Sequence, residues 1–336
     1  AIAGLVTGWG LPTRPAQVVV TTGAQQAISI AAACWVGPGD VVVVDDPTYP
    51  GAISAFTAAG AELLAVAVDD EGVRPDRLRA ALAARPALVY LQSSLHSPTG
   101  AVLAGHRRPR IAELLSEARV PLVEDLALAG LAWADGPPPI ASHAPDQPVA
   151  VVGSLSKLFW GGLRIGFVRA PEPVALRFAR VKATHDLGSP AVAQLLAERL
   201  LCAPERMPLV AARNEALRDR YRVLAAALAE LLPSWTWTAP AGGLSMWVRL
   251  PEPVARPFAA VALRHGVAVA TADSLSAGSG HDDRIRLSFA APAPLLREGA
   301  RRLAEAWAVV AGGRAGPAAI SGHHPARPGQ FGAMEP

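Results

Sequence analysis

Cysteine is scarce. Two occur among 336 residues, Cys34 and Cys202, each alone in an apolar setting. With no second Cys or His at metal-ligand spacing, this argues against a disulfide framework or a zinc site, and no metal is expected. A reducing cytoplasm is the expected compartment. Dense basic blocks are missing too. The 31 Lys and Arg against 28 Asp and Glu leave a net charge of +3, spread along the chain without the footprint of direct nucleic-acid binding. Nor does any apolar run approach the ~18 residues that span a bilayer; Val41 to Val44 is bounded by Asp40 and Asp45. No membrane association is expected. The first residues, Ala1 to Val6, put no charged region before their apolar side chains, which is not a signal peptide. They read as a chain begun within a helix, and no internal repeat is visible.

What remains is a chain that must fold, with 51% apolar and 18% charged residues. Its length predicts roughly two domains. Val18–Val20, Val41–Val44, Glu62–Val68, Ala87–Leu91, Pro121–Glu124 and Val149–Gly153 read as strands, with helical stretches between them. Such alternation predicts an α/β domain with a mainly parallel sheet and helices on both faces, whose ligands sit at the carboxyl ends of the strands. Residues 1–205 are assigned to it. Helical spacing from Leu176 to Leu201 and from Pro208 to Leu232 leads into shorter strands and helices, predicting a smaller α+β domain over 206–311. Residues 312–336, rich in Gly, Pro, His and Ala, read as a disordered tail.

The most informative stretch is Gly153-Ser154-Leu155-Ser156-Lys157, followed by Arg164. A lysine at a strand end can form an imine with an aldehyde, and Ser154, Ser156 and Arg164 could bind a phosphate of the same ligand. Alone, Ser-x-Ser-Lys is a common tetrapeptide that reads first as a surface loop. Thr22-Gly23-Ala24-Gln25-Gln26 places backbone amides at a helix amino terminus, where an anion is favoured, although a plain helix start looks similar.

Taken together, these segments resemble the fold-type-I, pyridoxal-5'-phosphate-dependent aminotransferases of class I/II. The resemblance runs from about Leu5 to Val310. It implies Lys157 as the cofactor lysine and general base, and Gly23, Ala24, Gln25, Ser154, Ser156 and Arg164 as the phosphate site. Tyr49, in Asp46-Pro47-Thr48-Tyr49, is implied to stack on the pyridine ring. Asp125 is implied to pair with the ring nitrogen, Ser97 of Ser97-Pro98-Thr99-Gly100 to face the cofactor, and Arg286 to grip the substrate α-carboxylate. The implied reactants are an amino acid and a 2-oxo acid, in a homodimer.

Glu124 to Ala129 and Gly153 to Pro171 most resemble the aminotransferase-like effector domain of MocR-type GntR-family regulators, here without the winged helix. The family's first substrate-binding loop would lie upstream of Ala1, so a fragment is expected. The alternative function is therefore a sensor that binds the cofactor or an amino-acid effector with little turnover. Ser97, Ala127 and Leu128 favour it, because they replace the Asn and Tyr that usually hold the cofactor's phenolic oxygen. His96 could supply a donor, or be a simple polar contact. Trp235, Trp237 and Trp247 read as core, Trp160 as near the cofactor, and the arginines at 213, 218, 220 and 222 as a solvated helix face. His281-Asp282-Asp283 reads as a solvated turn, and His323-His324 as part of the tail.

Overall fold

The structure, a computed structural model, describes residues 1–312. The expected tail, with His323 and His324, lies outside the described residues apart from residue 312.

In chain order the elements are α1 (Ile2–Gly8), β1 (Val18–Thr21), α2 (Ala24–Trp35), β2 (Val41–Asp46), α3 (Pro50–Ala58), β3 (Glu62–Asp69), β4 (Gly72–Val73), α4 (Pro75–Leu82), β5 (Leu88–Gln92), α5 (Arg107–Ala118), β6 (Leu122–Asp125), β7 (Val149–Ser154), α6 (Leu155–Leu158) and β8 (Gly166–Arg169). There follow α7 (Glu172–Asp186), α8 (Ala191–Cys202), α9 (Arg206–Leu231), β9 (Thr236–Trp237), β10 (Ser245–Arg249), α10 (Ala255–Arg264), β11 (Ala270–Thr271), β12 (Arg284–Ser288) and α11 (Ala293–Gly312).

The first eight strands form one sheet in the order β1-β8-β7-β6-β5-β2-β3-β4. From β7 through β3 the neighbours are parallel, whereas β8 runs antiparallel between β1 and β7. Alternation along a strand sends successive side chains to opposite faces. Val43 accordingly joins one apolar layer with Leu91, Ile111 and Val151, while Val42 and Val44 join the other with Ile28, Tyr90 and Phe178. Both faces are covered, which is why the valine run carries no polar residue before Asp45.

A second sheet, β11-β12-β10-β9, is wholly antiparallel. Its core gathers Met246, Val248, Phe258, Ile285 and Leu296 with Leu217, Leu224 and Leu228 of α9. Val210, nearer the start of α9, packs on the large sheet's layer instead. This helix, about 39 Å long at 1.5 Å per residue, therefore ties the two cores together. Trp235 and Trp247 are buried, as their alternation suggested.

Three features departed from expectation, the first being β4, whose two residues are too few to show a period. Strand β8 was not anticipated, because four residues directly after a glycine-rich turn give little periodicity to read. The Leu176–Leu201 stretch is two helices rather than one: Leu187 turns left-handed at φ 57° and Pro190 follows shortly after, so the backbone cannot continue α7.

Candidate active site

At the carboxyl end of β1 the chain turns through Gly23, whose φ of +82° suits glycine, into α2. Thr21 Oγ1 donates to the Gly23 carbonyl at 2.9 Å, and no side chain caps the helix. The first amides of α2, at Ala24 and Gln25, are the ones a helix cannot satisfy internally. Arg164 lies against this turn: a Cβ on Gly23 would sit 2.9 Å from its Nη2. Gly166 abuts from below, where a Cβ would come within 2.5 Å of the Gly23 carbonyl carbon. Beside it, Ser154 ends β7 and caps α6 by accepting the Lys157 amide at 3.3 Å. The Ser156 hydroxyl is buried and has no hydrogen-bond partner among the described residues. Donors, a guanidinium and an unused hydroxyl thus border one small region, an arrangement suited to an anion.

Deeper in the sheet, Asp125 ends β6. Its Oδ2 accepts from the Tyr90 hydroxyl at 2.6 Å and its Oδ1 from the Ala127 amide at 2.7 Å. Burial dominates nonetheless and raises the carboxyl above its ordinary value, the two hydrogen bonds opposing it only in part. A raised, buried carboxylate is one that a cationic ring nitrogen would stabilise. Tyr90, fully enclosed, is pushed well above the usual phenol range by burial and then by the charges of Asp125 and Asp45. Glu124, next in sequence, points the other way and accepts from Ser93 Oγ at 2.5 Å and from the amides of Ile140 and Ala141 at 2.7 and 2.9 Å.

Asp45 is held by Thr48 Oγ1 at 2.5 Å and by the Gln92 amide at 2.8 Å, with His96 Nε2 at 3.4 Å. Gln92 also brackets Ser97, donating to its carbonyl and accepting from its amide, each at 3.0 Å. The His96 Nδ1 meets Thr99 Oγ1 at 2.9 Å. Tyr49 precedes α3. Gly51 leaves room for its ring and for Gln25, since a Cβ there would lie 2.4 Å from the ring and 2.0 Å from Gln25 Oε1.

The structure thus brings Gly23, Ala24, Gln25, Tyr49, Ser97, Asp125, Ser154, Ser156, Lys157 and Arg164 to one end of the large sheet. Arg286 belongs to the other sheet, in the middle of β12 opposite Trp247 and Ala270. The segment before that strand is latched to the Tyr49 turn. The Thr48 amide donates to Leu275 O at 2.6 Å, and Asp46 accepts from Ser276 Oγ at 2.5 Å and pairs with His281 Nε2 at 3.0 Å.

Sequence reasoning missed Tyr90, Gln92 and Asp45: the only signal of Gln92 and Asp45 was polarity toward the ends of apolar strands, and Tyr90, in the middle of β5, reads as a core aromatic. Two readings are corrected. His281 is no solvated turn residue, because its ring is bonded to buried Asp46. The arginines of α9 are not uniformly solvated. Arg213 donates to backbone carbonyls, Arg220 to Ala290 O at 2.6 Å, and Arg218 lies over the Trp133 ring at 5.7 Å, whereas Arg222 pairs with exposed carboxylates. Trp160 is 64% exposed.

The family described as aminotransferase class I and II matches residues 1–303. An aromatic-amino-acid aminotransferase of Thermococcus litoralis is 28% identical over 307 residues, covering 88% of this chain and 74% of that protein. The HTH-type transcriptional regulator YdfD of Bacillus subtilis is 28% identical over 86% of this chain, which spans 61% of the regulator's length. Among solved structures, the α-aminoadipate aminotransferase LysN of Thermus thermophilus, complexed with N-(5'-phosphopyridoxyl)-L-leucine, superposes with a TM-score of 0.84 at 30% identity, covering 92% of this chain and 82% of that one.

Proposed function

The chain belongs to the class I and II aminotransferases, and from that membership we propose that it moves an amino group from an amino acid to a 2-oxo acid with pyridoxal 5'-phosphate held at Lys157. The fold is that of the fold-type-I enzymes, and the cofactor is the one on which the family depends. When bound, that cofactor supplies an aldehyde that condenses with amines and a ring that accepts the electron pair left as a substrate Cα loses its proton.

The residues present suit it. An unpartnered buried hydroxyl at Ser156, the open start of α2 at Gly23, Ala24 and Gln25, Ser154 and the Arg164 guanidinium would hold the phosphate. Asp125 would keep the ring nitrogen protonated, Tyr49 would lie on the ring, and Ser97 would border it. Lys157 would hold the cofactor and then, with its amine released, carry the proton to and from the substrate Cα. Arg286 would grip the substrate carboxylate as a bidentate fork. Residues 1–205 would form the cofactor-binding domain and 206–311 the smaller one.

The observation that carries this reading is the meeting of Lys157, its two serines, Arg164 and the α2 turn at one sheet end, with Asp125 on the neighbouring strand. Borohydride reduction followed by peptide mapping tests it. The pyridoxyl tag is expected on Lys157 and should be lost in Lys157→Ala; a tag elsewhere overturns the assignment.

Homodimerisation, in the cytoplasm, belongs to the same proposal. Val192, Leu195 and Leu196 of α8 and Leu187 before it form an exposed apolar stripe, which is what an interface between copies requires. Among the described residues no helix is long and apolar enough to cross a membrane.

A second reading, an amino-acid sensor, is favoured by one observation. After Asp125 the chain offers only the Ala127 amide and the apolar Leu128 where the resemblance implies a tyrosine donor. Mixing amino acid with 2-oxo acid separates the two: repeated turnover supports the transferase, and a spectral change without turnover supports the sensor.

A further inference from the structure

Helix α6 is a single turn, so its last carbonyls have no partner within the helix. They are taken by α9. Arg213 Nη1 donates to Lys157 O at 3.1 Å and to Leu158 O, while Nη2 reaches Gly130 O at 2.8 Å. Asn214 Nδ2 donates to Gly130 O at 3.1 Å and to Ala132 O at 3.0 Å. Gly130 and Ala132 belong to the turn that follows Asp125. This turn is pressed onto α6, since a Cβ on Gly130 would fall 2.4 Å from Leu158 Cδ1.

Two adjacent residues of a third element thus staple the peptide that carries Lys157 to the segment leaving Asp125. We propose that Arg213, seconded by Asn214, is a positioning residue for Lys157, fixing the backbone from which its amine projects and holding it in register with Asp125. The proposal rests on the cofactor reading above.

The physical argument turns on geometry. A planar fork can donate along several fixed directions at once, whereas an ammonium is a point charge on a flexible stem. Only the fork spans carbonyls on two chain segments. The clamp also sits on the helix whose later turns, at Leu217, Leu224 and Leu228, are buried in the second core. Through Arg213, the Lys157 peptide is thus joined to a helix anchored in that core.

Arg220 provides the control, because it donates to one backbone carbonyl from the same helix but touches neither α6 nor the turn after Asp125. Arg213→Met, Arg213→Lys and Arg220→Met would be made in the full chain. Amide hydrogen exchange would be followed in cofactor-free protein, and the pH titration of the visible spectrum after loading. Both Arg213 variants are expected to speed exchange at residues 158–161 by about tenfold and to displace the spectral midpoint by about half a pH unit, with β7 amides unchanged. Arg220→Met is expected to lower thermal stability alone. If Arg213→Met does not fold, Arg213→Lys, which keeps the charge and loses the fork, decides.

Exchange and spectra indistinguishable between the Arg213 and Arg220 variants would overturn the proposal and leave Arg213 a mere brace. The exchange measurement needs no cofactor, so a missing pyridoxyl tag at Lys157 would sink the functional reading without touching the clamp.

Discussion

Glu124 and Asp125 are neighbours with opposite fates. Strand alternation turns Glu124 toward Ser93 and the amides of residues 140 and 141, and Asp125 toward Tyr90. Folding raises Asp125 above its ordinary 3.8, because burial outweighs its two hydrogen bonds. A raised acid stabilises the fold below its unfolded value, and that contribution is lost as pH rises through the folded value. In cofactor-free protein, Asp125→Asn should therefore gain on the parent as pH rises from 3 to 8, read as the difference in urea midpoints. A gap that is flat with pH would contradict the raised carboxyl. The same variant should lose at least about hundredfold in turnover. Removing Glu124 instead orphans three donors, so Glu124→Ala should cost about 1–3 kcal/mol of stability. At this scale the sequence singled out Lys157, Asp125 and Arg164 by residue type and order, and the fold sets Asp125 on the strand beside the one that leads to Lys157. It was silent on Tyr90, since a tyrosine in an apolar strand looks like any core aromatic.

Strands announced themselves through valine runs, and the short β8 did not. Helix α9 was legible as a helix, but periodicity cannot distinguish an arginine facing water from one facing a carbonyl; both fall on the polar stripe. The latch at Asp46 was hidden for a related reason, because its partners Ser276 and His281 come from a loop more than two hundred residues away. Burial alone would raise Asp46, but the bonds from His281 and Ser276 outweigh it and leave the carboxyl below 3.8. A lowered acid stabilises the fold above its unfolded value and ceases to do so as pH falls through the folded one. Asp46→Ala should thus cost about 1–3 kcal/mol at pH 7, and its deficit against the parent should shrink under acid. Hydrogen exchange at the Thr48 and Gly278 amides should rise with it. Unchanged exchange there would mean that Asp46 does not hold the 275–281 loop against the Tyr49 turn.

The molecule as a whole consists of two cores bridged by α9, and a flank on which apolar side chains face outward. Leu187 is 93% exposed and Val192 80%. Beside them α1, β1 and α8 enclose an open cavity of about 550 Å³ lined by Ile2, Val18, Val20, Ile165 and Leu195. A sequence shows such residues only as a helical apolar period, which is the same whether the face meets its own core or a second copy. Single exposed hydrophobes need no explanation, but a contiguous stripe does. If two copies meet there, placing carboxylates on the stripe buries charge without a partner, at a cost of about 3 kcal/mol or more. Val192→Glu combined with Leu195→Glu should then weaken the dimer by at least about hundredfold, seen by sedimentation over a concentration series. A variant that sediments as the parent does would remove α8 from the interface, whatever the oligomeric state.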